Sequence, residues 1–187
     1  MNAAARYFLE KRARQFAGRI FPYLTKSQTV LDIGSGTGDV TNALRIAGKD
    51  VTPVDVADFH GPRTVKPVIY NGTTLPFPNR SFDTVLLLMV MHHTADPSVL
   101  FVEAARVAKE IVVIETSYTN FVHKIVTVLT DALGNLQPKF YWTSYKSDAE
   151  WREFFKKRGF IVVDSKKFVD IQLFIPYLHI AYFLKRM

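Results

Sequence analysis

The stretch Val30-Leu31-Asp32-Ile33-Gly34-Ser35-Gly36-Thr37-Gly38-Asp39 sets three glycines between an apolar run and an amphipathic one. Glycine lets a backbone approach a ligand closely, and the first turn of a following helix offers unpaired N–H groups. Three ligand classes use such a turn. A phosphate-cradling loop would end in Gly-Lys-Ser/Thr, where this chain has Gly38-Asp39. A dinucleotide turn of the form G-x-G-x-x-G would need glycine at the place of Asp39, whose charge would sit badly beside a pyrophosphate. The pattern therefore fits a ligand without phosphate. Asp55, 23 residues after Asp32 (55 − 32), stands where a carboxylate can accept both hydroxyls of a ribose. Together the two acids make a site suited to a cation.

A second place for chemistry is Leu86–Pro97, LLLMVMHHTADP, where an apolar run ends in two histidines. Adjacent residues of a strand point to opposite faces, so His92 and His93 would not share an ion comfortably. With no carboxylate or histidine cluster of metal spacing beside them in the sequence, no metal is expected. An imidazole titrates near neutral pH, and His93 is the candidate general base. His92 is read as structural.

These residues need a scaffold, and the chain alternates strand-like and helix-like segments, as an α/β fold with a largely parallel sheet does. Strands are expected at Thr29–Ile33, Val51–Val56, Val68–Tyr70, Phe82–Met91, Ile111–Glu115, Phe160–Val169 and Leu173–Leu184. The uninterrupted apolar run of the fourth suits a strand covered by helices on both faces. Helices are expected at Val40–Ala47, Pro97–Ala108 and Asn120–Leu133, and from a capping box at Ser147–Glu150 to Lys157. The spacing of Tyr7, Phe8, Phe16 and Ile20 gives an N-terminal helix.

With these segments in place, the chain resembles the class I S-adenosylmethionine-dependent methyltransferases, in the methyltransferase type 11 branch shared by ubiquinone-biosynthesis-type and many small-molecule enzymes. Val30–Gly38 resembles their motif I and Pro53–Val56 the acidic second motif. Asn71–Pro97 resembles the third and fourth motifs together, and Arg106–Glu115 the helix and strand that follow. The resemblance covers residues 30 to 116. It implies a single-domain Rossmann-like three-layer α/β sandwich with a mostly parallel seven-stranded sheet and an antiparallel closing strand. Residues 1–25 would form an N-terminal helix, 26–116 the cofactor core, and 117–187 an acceptor lid with the closing strands.

The implied cofactor is S-adenosyl-L-methionine, a sulfonium with an amino group, a ribose and no phosphate, which leaves as S-adenosyl-L-homocysteine. By the resemblance, Gly34, Ser35, Gly36 and Gly38 contact its methionine part and Asp32 orients the amino group. Asp55, with Val56 beside it, binds the ribose. Asn71 and Gly72 flank the adenine, and the backbone of Leu88 faces the cofactor. One departure is the short Ala57–Lys66 segment, with Gly61 and Pro62, where a full helix is usual.

The sequence also narrows the acceptor. MHHTADP stands where amino methyltransferases of adenine and glutamine carry Asn/Asp-Pro-Pro-Tyr/Phe, and the lack of cysteine closes the covalent route to pyrimidine C5. A small-molecule acceptor is favoured. Tyr118, His123, Asn135, Phe140, Tyr141, Trp142 and Tyr145 are candidates for its wall, the aromatics able to hold a flat ring or stabilise a sulfonium. Tyr7 and Phe8 would cover the cofactor from the other side.

Composition agrees with a globular domain: 187 residues, 48% hydrophobic and 22% charged. A net charge of +7 leaves nucleic acid, an anionic membrane or an acidic substrate open as partners, nucleic acid not being favoured. Absence of cysteine and of a secretory signal fits the cytoplasm. No membrane span is expected, since the apolar tail Ile171–Leu184 is broken by Gln172, Pro176 and His179 and falls short of the ~20 residues a helix needs. Oligomeric state is left open. Two alternatives stand beside the enzyme: a non-catalytic cofactor-binding partner subunit and an RNA methyltransferase.

Overall fold

The computed structural model describes residues 3–61, 64–134, 141–172 and 175–187. Seven strands, β1 (Thr29–Ile33), β2 (Asp50–Asp55), β3 (Val68–Ile69), β4 (Phe82–Leu88), β5 (Ala108–Ser117), β6 (Phe160–Gln172) and β7 (Ile175–Arg186), form one sheet in the order β3-β2-β1-β4-β5-β7-β6. The first five run parallel, and β7 runs antiparallel to both its neighbours. This is the mostly parallel sheet with an antiparallel closing strand that the family resemblance implied.

Strand periodicity explains why both faces are covered. Val30, Val51, Leu86, Val112 and Ile114 point to one face, where Phe16, Ala17 and Ile20 of α1 (Ala3–Ile20) and Leu44 of α2 (Asp39–Ile46) pack. Their neighbours Leu31, Ile33, Val85, Leu87, Ile111 and Val113 point to the other. There Leu100, Phe101 and Ala104 of α3 (Pro97–Val107) meet Trp151, Phe154 and Phe155 of α5 (Asp148–Lys156). The result is three layers. Helix starts follow local chemistry: Asp96 accepts from Ser98 N ahead of Pro97, and Ser147 and Glu150 close the capping box that opens α5. The remaining helix, α4 (Phe121–Gly134), follows β5. Among the described residues no helix is long and apolar enough to cross a membrane.

Two boundaries differ from expectation in ways that matter. β4 stops at Leu88 rather than Met91, because Met89 takes a left-handed conformation (φ 59°) and a 3-10 turn follows over Met91–His93. β5 begins earlier than expected, at Ala108.

The core beneath the site centres on Phe101, whose ring lies 5.5 Å from those of Phe154 and Phe155 and 5.2 Å from Phe160. Truncating a buried ring loses its transfer energy and leaves a cavity. Phe101→Ala is expected to lower unfolding free energy by ~3–5 kcal/mol in urea titration; a loss under ~1 kcal/mol would show that the cluster repacks around the gap.

Candidate functional site

The carboxyl ends of β1, β2, β4 and β5 carry the residues singled out in the sequence. After β1 the chain turns through Gly34, where the amides of Gly34 and Ser35 both donate to the Val54 carbonyl at 2.9 and 3.3 Å. Asp55, buried at the end of β2, fixes the next part of the turn: its carboxylate accepts from Gly36 N at 2.8 Å and from Val56 N at 2.7 Å. Asp32 is also buried and accepts from Thr41 Oγ1 of α2 at 2.5 Å. Burial pushes its pKa up to about 6, with the Thr41 bond opposing and the charge of Asp55 adding to the shift.

Helix α1 closes over this turn. Arg6 pairs with Asp39 at 2.8 Å and with Glu10 at 2.8 Å, and it lies so close to Gly61 that a Cβ there would fall 2.6 Å from its guanidinium. Between helix and turn is a cavity of about 100 Å³, lined by Leu9, Ala13 and Phe16 on one side and Ser35, Thr37 and Asp39 on the other. The Ser35 hydroxyl is buried here without a partner among the described residues. An unpartnered hydroxyl and a buried carboxylate beside a glycine turn fit the charged amino-acid end of the cofactor that the resemblance implies, and Asp55 fits its ribose.

Beyond β3 the fit is looser. Asn71 accepts through its side-chain oxygen from Thr73 N (3.0 Å), Thr74 N (2.8 Å) and Thr73 Oγ1 (3.0 Å), so that oxygen is already committed to its own loop. Only the amide NH2 remains to face a ligand. Gly72 adopts a left-handed conformation against Val56, which is itself exposed. Leu88 is half-buried and packs toward the α1 side of the sheet.

The histidines are arranged quite differently from two adjacent strand residues. On the 3-10 turn their rings face the same region, with centroids 4.0 Å apart. His92 is fully buried; its Nδ1 bonds the Glu115 carboxylate, whose other oxygen accepts from Met91 N at 2.7 Å. Its Nε2 points toward Asp131 of α4 at 3.8 Å, and Tyr145 donates to the same Asp131 oxygen at 2.6 Å. Burial disfavours the imidazolium, but Glu115 and then Asp131 outweigh it and hold the pKa above its ordinary value. The spacing argument against a shared ion thus loses its premise, since ligand atoms of His92, His93 and Asp131 lie within 4.8 Å of one another. The Glu115 and Asp131 carboxylates both favour the protonated form of His92.

The expected acceptor wall divides. Tyr118 donates to Glu150 of α5 at 2.5 Å, and His123 sits at the start of α4 near Thr119 N. Lys124 lies 4.9 Å above the rings of both Tyr118 and Trp142, and Trp142 meets Phe121 at 6.1 Å. Tyr141 is half-buried beside them. Asn135 and Phe140 lie outside the described residues. Tyr145 turns inward to the histidine network instead. Sequence reading missed Glu115, Asp131 and Arg6; of these only Glu115 left a signal, an acid closing the apolar run of β5.

Comparisons with known proteins agree with this fold. The family model described as "Methyltransferase domain" matches residues 5–165. A curated demethylmenaquinone methyltransferase of Tropheryma whipplei is 31% identical over 99 residues, which is 46% of this chain and 39% of that protein, so the match spans about two fifths of the relative's length. Among solved structures, a SAM-dependent methyltransferase of Methanosarcina mazei aligns with a TM-score of 0.68 at 18% identity, covering 90% of this chain and 96% of that one. Magnesium protoporphyrin IX methyltransferase of Synechocystis, solved with bound SAH, gives 0.66 at 17% identity, covering 99% and 88%. At such identities these likenesses establish the fold.

The tightest contact of the site joins its two halves. A Cβ on Gly34 would meet Val90 Cγ2 at 2.4 Å, and the residue has φ 73°. Gly34→Ala is expected to cost ~2–4 kcal/mol by urea titration, from left-handed strain and overpacking together. Adding Val90→Ala should restore only the packing part; undiminished stability of the single variant would show that the two turns are not in contact.

Proposed function

Since the chain belongs to the methyltransferase-domain family and has the fold of SAM-dependent enzymes, we propose that it moves a methyl group from S-adenosylmethionine to a small organic acceptor. When bound, the cofactor supplies a methyl group already activated on sulfonium sulfur, and the transfer is an in-line displacement. The observation that carries this reading is the Asp55 carboxylate held by Gly36 N and Val56 N, one acid linking the ribose position to the glycine turn.

The work left to the protein is to align, to exclude water and to take up a proton where the acceptor loses one. Gly34, Gly36 and Gly38 give the close approach, Ser35 offers its unpartnered hydroxyl, and Asp32 offers a carboxylate to the amino group. The NH2 of Asn71, with Gly72, Val56 and the Leu88 backbone, would border the base. Glu115 and Asp131 favour the protonated form of His92, and the neighbouring His93 is our candidate for the ring that accepts a proton. Tyr118, His123, Tyr141 and Trp142 would border the acceptor. The quinone-type compound in the Tropheryma relative's name is one acceptor to test.

Four measurements test this. Turnover to S-adenosylhomocysteine is expected with at least one member of a panel of phenols, quinols and amines; turnover confined to RNA, or none despite tight cofactor binding, would favour the RNA enzyme or the non-catalytic subunit. Asp55→Ala should weaken cofactor binding by ~1–3 kcal/mol in calorimetric titration, the cost of ribose hydroxyls left unpaired, and an unchanged affinity would remove its assigned role. Because Asp32 is ionised only above about pH 6, cofactor affinity should fall as pH drops through that value and level off above it, and Asp32→Asn should flatten the dependence. Full turnover by His93→Ala would exclude it as the base.

A further inference from the structure

Helix α4 is built the wrong way round for a core helix. Phe121, Val122, Val126, Leu129 and Leu133 recur at spacings of one, four, three and four and share one face, yet each is 46–75% exposed. The inward face carries Thr127 and Val128, both buried, and Asp131, which points toward His92 and Tyr145. Exposed apolar patches of this continuity mark contact surfaces.

What fits the face is set by its rim and its charge. At the start of α4, Trp142 packs on Phe121 while Lys124 lies over Tyr118 and Trp142, a grouping of aromatic rings and one ammonium that is stable where apolar and wet surroundings meet. The chain carries +7, which attracts an anionic surface. We propose that α4 lies in the plane of an anionic lipid bilayer, its Phe121–Leu133 face seated at the headgroup boundary. Its opposite face then holds Asp131 against the histidine turn, so the acceptor side of the site opens next to the lipid. This part rests on the methyl-transfer reading: the acceptor would be an apolar compound dissolved in that bilayer.

The test uses the whole chain with vesicles of phosphatidylcholine alone and of phosphatidylcholine with phosphatidylglycerol. Co-sedimentation is expected with the anionic vesicles and reduced at high salt. Tryptophan emission should shift to the blue through Trp142, because Trp151 is fully buried in the core. Leu129→Asp with Leu133→Asp should lower vesicle affinity at least about tenfold while S-adenosylhomocysteine binding is kept. Absence of both co-sedimentation and emission shift overturns the proposal. So does a concentration-dependent dimer in light scattering that the same double variant abolishes, which would give the face to a second copy. Vesicle binding without any cofactor binding would leave the docking intact and remove only the methyl-transfer reading.

Discussion

Three carboxylates taken out of water govern this molecule. Asp32, Asp55 and Glu115 are buried at or near the carboxyl ends of β1, β2 and β5. A carboxylate in such a place is tolerable only where donors reach it. Each finds them in a neighbouring connection: Asp55 in the glycine turn after β1, Glu115 in the 3-10 turn after β4, Asp32 in the first turns of α2. The requirement to satisfy three acids therefore shapes the connections that form the site. The opposite edge of the sheet uses the same device, where Asp83 at the start of β4 accepts from the amides of Gln28 and Thr29.

The same acids set the electrostatics. A basic chain concentrates negative charge at one edge of its sheet, and that contrast suits a cationic ligand with sugar hydroxyls. The charge of Asp55 adds to the cost of ionising Asp32, and a positive ligand group placed between them would relieve it. At β5 the carboxylate of Glu115 favours the protonated form of His92, whose ring lies 4.0 Å from that of His93.

Much of this was legible from the chain. Alternating segments, doubly apolar strands, the Ser147 capping box and the glycine turn depend on neighbours within a few residues, and those the sequence displays. The end of β4 was not legible, because Met89 reverses the backbone with no glycine, asparagine or proline to announce it. Nor were the partners of His92, since Glu115 lies 23 residues further on (115 − 92) and Asp131 on another helix. Helix α4 shows a third kind of limit. Its periodicity identifies a helix, but periodicity says only that a face is apolar and never which way that face is turned.

The contact of Gly34 with Val90 joins the two turns that matter most. One turn leads to the glycines and to Asp55, the other to His92 and His93, and between them there is no room for even a methyl group. Any side chain larger than hydrogen at position 34 would have to displace Val90, so the composition of one turn limits that of the other.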